Sequence, residues 1–577
     1  MASEKEESPA YPRSFYLALA SLFLVPFSAS VNAVILSSAL PAITSALEAN
    51  SSKAFWCGTG FQIARTVTTP VFGAFSEAFG RRNTLSAALI VFSVATAFCA
   101  AAQNIDWLLA ARVVQGASAG GLNAVVGVVI TDMIELRNRG KVTGIFAFSQ
   151  FLGLPGGLLL GGVITQYSSW RWIFVISIPV CLIAMVGILL FLDLEPPEAT
   201  FVVAVKSMDW GGMVLLCGAV TALMYGLTTG GTQNPWKSAK VIATIIIGAL
   251  GMIAFSVYEW YHVKPMIPPR LFANRTSAVG FGASFLHGFI FWAMSSYMIL
   301  YFISSLDHSL FRASLDCLPG IGMLVVSSAS SGFIYAKLKR FQKILNFAWA
   351  LVVVGTALLS TLRPNSGPSK YYGYQVIASI GGGMILPGRL LSVQASQKPE
   401  DVAMATTTMA FMLSIGQAFG MGIGGSVIQN RWDDLVNSHH IPSKYNIPSS
   451  KVESAYKLAK AFPEKIQRAY GDITAKSIAT LFIFCCALSA VGFLTSFISK
   501  DLSLDKDERG RQRFRGGKKK RTEDVETPSE QSTDTGVRVE RSPAPSVAQI
   551  ELNCSPDAVR LDMVETRSHR SVKSVKV

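Results

Sequence analysis

Residues 84–130, TLSAALIVFSVATAFCAAAQNIDWLLAARVVQGASAGGLNAVVGVVI, hold only two charged side chains, Asp106 and Arg112. They read as two apolar runs, 84–103 and 107–130. A helix of about 20 residues at about 1.5 Å per residue crosses the roughly 30 Å hydrocarbon core of a bilayer. In lipid each backbone N–H and C=O must be satisfied within its own segment, so runs like these are helices.

The same alternation of long uncharged runs and short charged punctuation continues on both sides. Further spans are expected at 14–40, 54–75, 142–166, 171–193, 209–229, 239–259, 278–303, 313–335, 343–362, 371–394, 402–428 and 476–499. That makes fourteen. Only 15% of the 577 residues are charged and 50% are hydrophobic, with mean hydropathy +0.40; soluble proteins carry about 25% charged residues. The fold class is therefore all-α and integral to the membrane. The N-terminal segment MASEKEESPAYPR has no basic n-region and no small-residue cleavage site, so it does not read as a removable signal peptide.

Charge in the short loops orients the spans. Alternate loops carry Arg81 and Arg82, then Arg137, Arg139 and Lys141, then Lys264, Arg270 and Arg275, then Lys337, Lys339, Arg340 and Lys343. The intervening loops carry mostly single basic residues at span ends. The positive-inside rule puts the rich loops and both termini in the cytoplasm. The net charge of +15 lies largely in these loops and in the tail, so it argues for orientation rather than nucleic-acid binding. The sequon at Asn50 falls in the first outside loop, where it is a glycosylation candidate. Beyond residue 500, GRQRFRGGKKKR and a Ser/Thr/Glu/Pro-rich stretch without apolar periodicity read as a disordered basic tail.

Three landmarks recur in register. Gly73…Arg81 at the end of span two matches Gly332…Arg340 at the end of span ten. Gly120-Gly121 matches Gly382-Gly383, and Gly161-Gly162 matches Gly424-Gly425. The offsets are 259, 262 and 263, which implies six spans, a two-span insert and six more. The expected organisation is an N-terminal tail (1–13), a six-helix bundle (14–193), an insert with its linkers (194–277), a second six-helix bundle (278–499) with an outer loop at 429–475, and the tail (500–577). Parallel repeats around a midplane site are a common design of secondary transporters.

These features resemble the major facilitator superfamily, in particular its fourteen-span drug:proton antiporter branch common in fungi. Gly73…Glu77…Gly80-Arg81-Arg82 is similar to that family's loop motif between spans two and three. Arg112-Val-Val-Gln115-Gly116 is similar to its span-four motif, Ala39-Leu40-Pro41 to the end of its first span, and Trp170-Arg171-Trp172 to the start of its sixth. The resemblance covers roughly 14–500. It implies export of a small organic molecule (a drug, toxin or secondary metabolite) by alternating access, with protons as a possible coupling ion, in the plasma membrane and as a monomer. Uptake of a small solute, or a sensor built on a transporter scaffold, are the alternatives.

Site residues follow from chemistry and from this resemblance together. Glu77 can accept charged hydrogen bonds from Arg81 and Arg82, and with Gly73 and Gly80 forms a conformational latch. Arg112, an intramembrane charge, is a functional candidate, with Gln115 beside it. Asn32 stands where the family carries an Asp and cannot titrate. The family's span-five proline position is Leu158; the proline here is Pro155, one turn earlier, with Gly157, Gly161 and Gly162 as packing glycines. Both departures bear on proton coupling.

Arg65 and His287 lie near mid-span, with no Asp or Glu at comparable depth, and Arg389 is read as snorkelling to water. A cavity lined by Asn32, Gln62, Arg65, Arg112 and His287 would favour an anionic or strongly hydrogen-bonding substrate, with His287 as a titrating group. The chain has no GxxxxGK[ST], HExxH or GxSxG motif, so no ATP-binding or enzymatic reading is supported. No cofactor is implied. The pair His439-His440 lacks companions for a metal site and reads as solvated loop.

Overall fold

The computed structural model describes residues 12–48, 51–196, 201–231, 233–449, 452 and 455–504. Asn50, and the tail beyond 504, lie outside the described residues, as do the side chains of Pro155 and Leu158.

Among the described residues, fourteen long helices follow the order of the expected spans. They are α1 (Arg13–Ala46), α2 (Ser51–Phe79), α3 (Arg81–Ala100), α4 (Ile105–Met133) and α5 (Leu136–Tyr167), then α6 (Trp172–Phe191). The series continues with α7 (Trp210–Thr229), α8 (Ala239–Tyr261), α9 (Arg275–Ser304), α10 (Leu310–Leu338), α11 (Gln342–Leu359), α12 (Pro368–Ser396), α13 (Val402–Ser438) and α14 (Glu464–Ser496). Among the described residues, 12 are long and apolar enough to cross a membrane. Of the other two, α2 has the length but not the apolarity, since it carries Gln62, Arg65 and threonines 66, 68 and 69, while α5 has side chains outside those described within its apolar run 142–166.

The expected outer loop 429–475 is shorter in the structure, because the helices continue past the apolar runs. α13 runs on to Ser438 and α14 starts at Glu464. Trp432 and Tyr470 stack across this extension with ring centroids 5.5 Å apart. Trp432 donates its indole N–H to the Ile447 carbonyl, and the Tyr470 hydroxyl donates to Tyr445. His439 also leaves the solvated role expected of it: its Nε2 lies 3.2 Å from an Asp472 carboxylate oxygen.

Close helix crossings in the first half recur in the second. A Cβ on Gly157 of α5 would meet the Val31 carbonyl of α1, and one on Gly420 of α13 would meet the Phe289 carbonyl of α9. Gly120 of α4 lies against the Arg65 carbonyl of α2, and Gly383 of α12 against the Leu324 carbonyl of α10. The offsets are 258 and 259 for the carbonyls and 263 for the glycines. The spatial counterpart of Gly120 is thus Gly383, one residue beyond the match read from the sequence. Hydrogen bonds repeat too: Thr68 Oγ1 donates to Ala117, and Ser327 Oγ to Ser379. Small residues let backbones approach in a solvent that offers no hydrophobic drive between helices.

Each half encloses its own apolar core, one around Leu22, Phe61, Leu89 and Phe92, the other around Phe302, Trp349 and Phe482. The insert lies against α2 and α13 through α7, where Met213, Leu216 and Val220 meet Val67, Phe411 and Ile415, with α8 packed on α7. It therefore straddles the seam between the halves.

Gly80 permits the turn from α2 into α3. Its φ of +88° is a conformation that side-chain-bearing residues rarely adopt, and it lets two helices meet through one residue.

Candidate functional site

The structure divides the proposed site residues among separate places. Asn32, Arg112 and Gln115 come together inside the first half, all 0% exposed. Arg112 and Gln115 share one face of α4, being three residues apart. Arg112 Nη1 donates to Gln115 Oε1 (2.7 Å) and to the Asn32 carbonyl (3.1 Å), while its Nε donates to the Cys57 carbonyl (3.3 Å). The guanidinium also lies 4.2 Å from the centre of the Phe61 ring. Gln115 Nε2 donates to Asn32 Oδ1 and Thr96 Oγ1, and Asn32 Nδ2 to Ser177 Oγ and the Ser28 carbonyl. The result is a knot tying α1, α2, α3, α4 and α6, enclosed by protein.

Arg65 and Gln62 lie apart from it. Arg65 is half-buried near the middle of α2, with no hydrogen-bond or ion-pair partner among the described residues. His287 lies in the other half, 4% exposed, with Nε2 3.2 Å from the Gly382 carbonyl oxygen and its ring stacked on Phe291. Arg389 does not snorkel: it is 5% exposed.

The end of the molecule carrying Gly80 holds a second constellation. Arg81 is buried and donates from Nε to Asp132 Oδ2 of α4 (2.9 Å) and from Nη1 to the Ser76 carbonyl. Asp132, 1% exposed, is thus a buried carboxylate partner of Arg81 that sequence reading missed; it ends an apolar run on a different helix, with no motif to flag it. Arg82 donates to the Leu189 carbonyl near the end of α6. Glu77 lines a cavity of about 800 Å³ at this end, together with Arg81, Asp209, Arg270 and Asp401. Arg270 grips Asp401 through Nε and Nη2, and this bond raises the guanidinium pKa above its ordinary value.

The two halves also join here. Arg139, 2% exposed, donates to the Thr131 and Ile134 carbonyls at the end of α4, and across the seam to Gln394 of α12 at 3.2 Å. A Cβ on Gly73 would collide with Thr407 of α13, and one on Gly332 with the Gly140 carbonyl of α5. Further along α5 and α10, nothing lies within 4 Å of a Cβ on Gly156, Gly162 or Gly322.

A buried carboxylate also lies seven residues into α10. Asp316, 1% exposed, accepts from Tyr372 OH and His308 Nδ1, both at 2.6 Å, and lies 3.2 Å from Arg312 Nε. Its own carbonyl accepts from Gln375 Nε2, repeating the Arg112–Cys57 bond of the first half at offsets 263 and 259. The nearby His308 and Arg312 were the available signal for it.

Among the described residues no group of three or more His, Cys, Asp and Glu side chains could hold a metal ion. A helical bundle of two matching halves in contact across a seam is the architecture of a carrier that rocks its halves about a central site. A family model described as Major Facilitator Superfamily matches residues 22–421, and the chain belongs to that superfamily. The MFS-type transporter gkaD of Penicillium citrinum is 30% identical over 520 residues, which is 88% of each chain. The MFS-type efflux pump MMF1 of Pseudozyma antarctica is 30% identical over 499 residues, 85% of this chain and 91% of that one. Among solved structures, the proton:xylose symporter XylE matches over 86% of this chain and 98% of its own, with a TM-score of 0.54 at 11% identity, a likeness of fold alone.

Proposed function

We propose that this protein exports a small organic molecule across the plasma membrane by alternating access, with all fourteen long helices spanning the bilayer. The observation that carries the reading is the closure of the halves at one end, through Arg139–Gln394 and the glycine contacts at positions 73 and 332. That end bears the basic loops, so the positive-inside rule assigns it to the cytoplasm and the closed state faces outward. Relatives of matching length named as efflux pumps support the outward direction. Deleting the gene should raise the intracellular level of an exported metabolite and lower its level in the medium, by mass spectrometry of both. Reduced intracellular accumulation would instead make the protein an importer.

The substrate is proposed to be anionic. Arg65 is the supporting residue: an arginine facing lipid at mid-span is costly, so its exposed part belongs in a water-filled path. Replacing Arg65 with Gln and finding unchanged export of anionic and neutral substrates would remove that element. Protons are the proposed coupling ion. Asn32 cannot carry one, and Asp316 with His308 takes that role in this reading. Asp316→Asn should then abolish export that an uncoupler also stops.

A further inference from the structure

Arg389 of α12 is the one buried charge in the second half's helices that finds no partner among the described residues. Its Nε and Nη1 are buried without a hydrogen bond, and so is Nδ1 of His287 on α9. Arg389 is also the charged group acting on the His287 ring. Seven residues separate Arg389 from the end of α12 at Ser396, or about 10 Å of helix. The side chain does not span that distance to water, since the residue is 5% exposed.

Among the described residues, the helices around it offer no free acid to neutralise it. The helices packed against α12 are α5, α9, α10, α11 and α13. Helices α5, α9, α11 and α12 contain no Asp or Glu. Helix α10 contains only Asp316, which Tyr372, His308 and Arg312 already occupy. Helix α13 has Asp433 and Asp434, at the end of the molecule opposite Arg389, while Asp401 just before it is held by Arg270. Arginine stays protonated in proteins, so the charge cannot be relieved by losing a proton. A buried, uncompensated cation is strongly unfavourable, and such a residue inside a membrane protein marks a ligand or ion path.

We propose that Arg389 and His287 form an anion-binding niche in the second half, sized for one carboxylate or a small inorganic anion. The guanidinium supplies the charge and the donors. His287, fixed by Gly382 and the face of Phe291, sets the wall against which the anion lies. The anion is either a free ion from solution or the carboxylate of the transported molecule. The niche lies in a different half from Arg65 and does not depend on the direction of transport.

The test uses the full chain purified in detergent, titrated separately with acetate and with chloride while thermal unfolding is followed. Binding to the folded state should raise Tm saturably with anion concentration. Arg389→Met should lose that response even where its own Tm is higher, because removing an uncompensated charge is favourable. His287→Phe keeps a ring against Phe291 and should weaken the apparent affinity several-fold. A wild-type Tm indifferent to both anions, or a response that Arg389→Met retains in full, would overturn the proposal. In export assays with vesicles, competition by acetate assigns the niche to the substrate's carboxylate. Anion-dependent Tm without competition assigns it to a resident ion. Binding is read without transport, so absence of export with anion binding intact counts against the export reading alone.

Discussion

Arg112 and Arg81 are both arginines buried in the first half, yet they are neutralised in different ways. Arg112 is dispersed over two carbonyls, an amide oxygen and an aromatic face; Arg81 faces a carboxylate on another helix. Asp132→Asn should therefore cost about 3–5 kcal/mol, since it leaves the Arg81 charge buried without this carboxylate. The double change with Arg81→Met should recover most of the loss, measured as a double-mutant cycle of thermal unfolding. Gln115→Leu removes four hydrogen bonds at once and should cost about 1–3 kcal/mol in the same assay, without altering the helix content seen by circular dichroism. At this scale the sequence was partly legible. Arg81, Arg112 and Gln115 stand out as polar residues in or beside apolar runs. Their partners do not, because Asp132, Gln394 and the carbonyls of Cys57 and Asn32 become neighbours only when helices pack. Arg389 shows the limit most clearly: distance from the helix end suggests snorkelling, and only the surrounding helices decide that it is enclosed.

At the scale of the helix, glycine divides into positions that touch a neighbour and positions that do not. On α4, Gly116 lies against the Phe61 backbone of α2, so Gly116→Ala must push two helices apart, at a cost of about 1–3 kcal/mol. On α5, Gly162 has nothing within 4 Å, and Gly162→Ala should stabilise its helix by about 0.5–1 kcal/mol through propensity alone. Thermal unfolding of the two variants side by side checks the contrast. Gly80→Ala should cost about 1–3 kcal/mol for a different reason, the positive φ that joins α2 to α3. Both glycine pairs on α4 and α12 were visible in the sequence, but which member of each faces the partner helix was not. Helix ends were also hard to read, since α13 and α14 continue beyond the bilayer on buried Trp432 and Tyr470, where apolar run length no longer reports the helix.

For the whole molecule, the closed end is held in part by the side-chain hydrogen bond from Arg139 to Gln394 across the seam. Gln394→Leu should weaken this end by about 1 kcal/mol, roughly a fivefold shift toward the state open there. A cysteine in place of Thr407, which lies buried against Gly73, would report the change as a several-fold faster alkylation by a small thiol reagent after subtraction of the native cysteines. The insert bears on the same equilibrium because it touches both halves: Trp56 of α2 stacks on Tyr225 of α7, and Gln429 of α13 bonds the Gly231 carbonyl beside it.

By itself the sequence determined the helices, their order and the repeat. Run length is a local property set by bilayer thickness, and the glycine spacing survives as a constant offset. Only the tertiary structure decided what each intramembrane polar group faces, because the direction of a side chain around its helix acquires meaning from its neighbours. So Asn32 and Arg112, read as cavity lining, are sealed in a structural knot. Arg65 is left half-buried without a partner among the described residues, and Arg389 is enclosed where no free acid of the described helices around it can reach it.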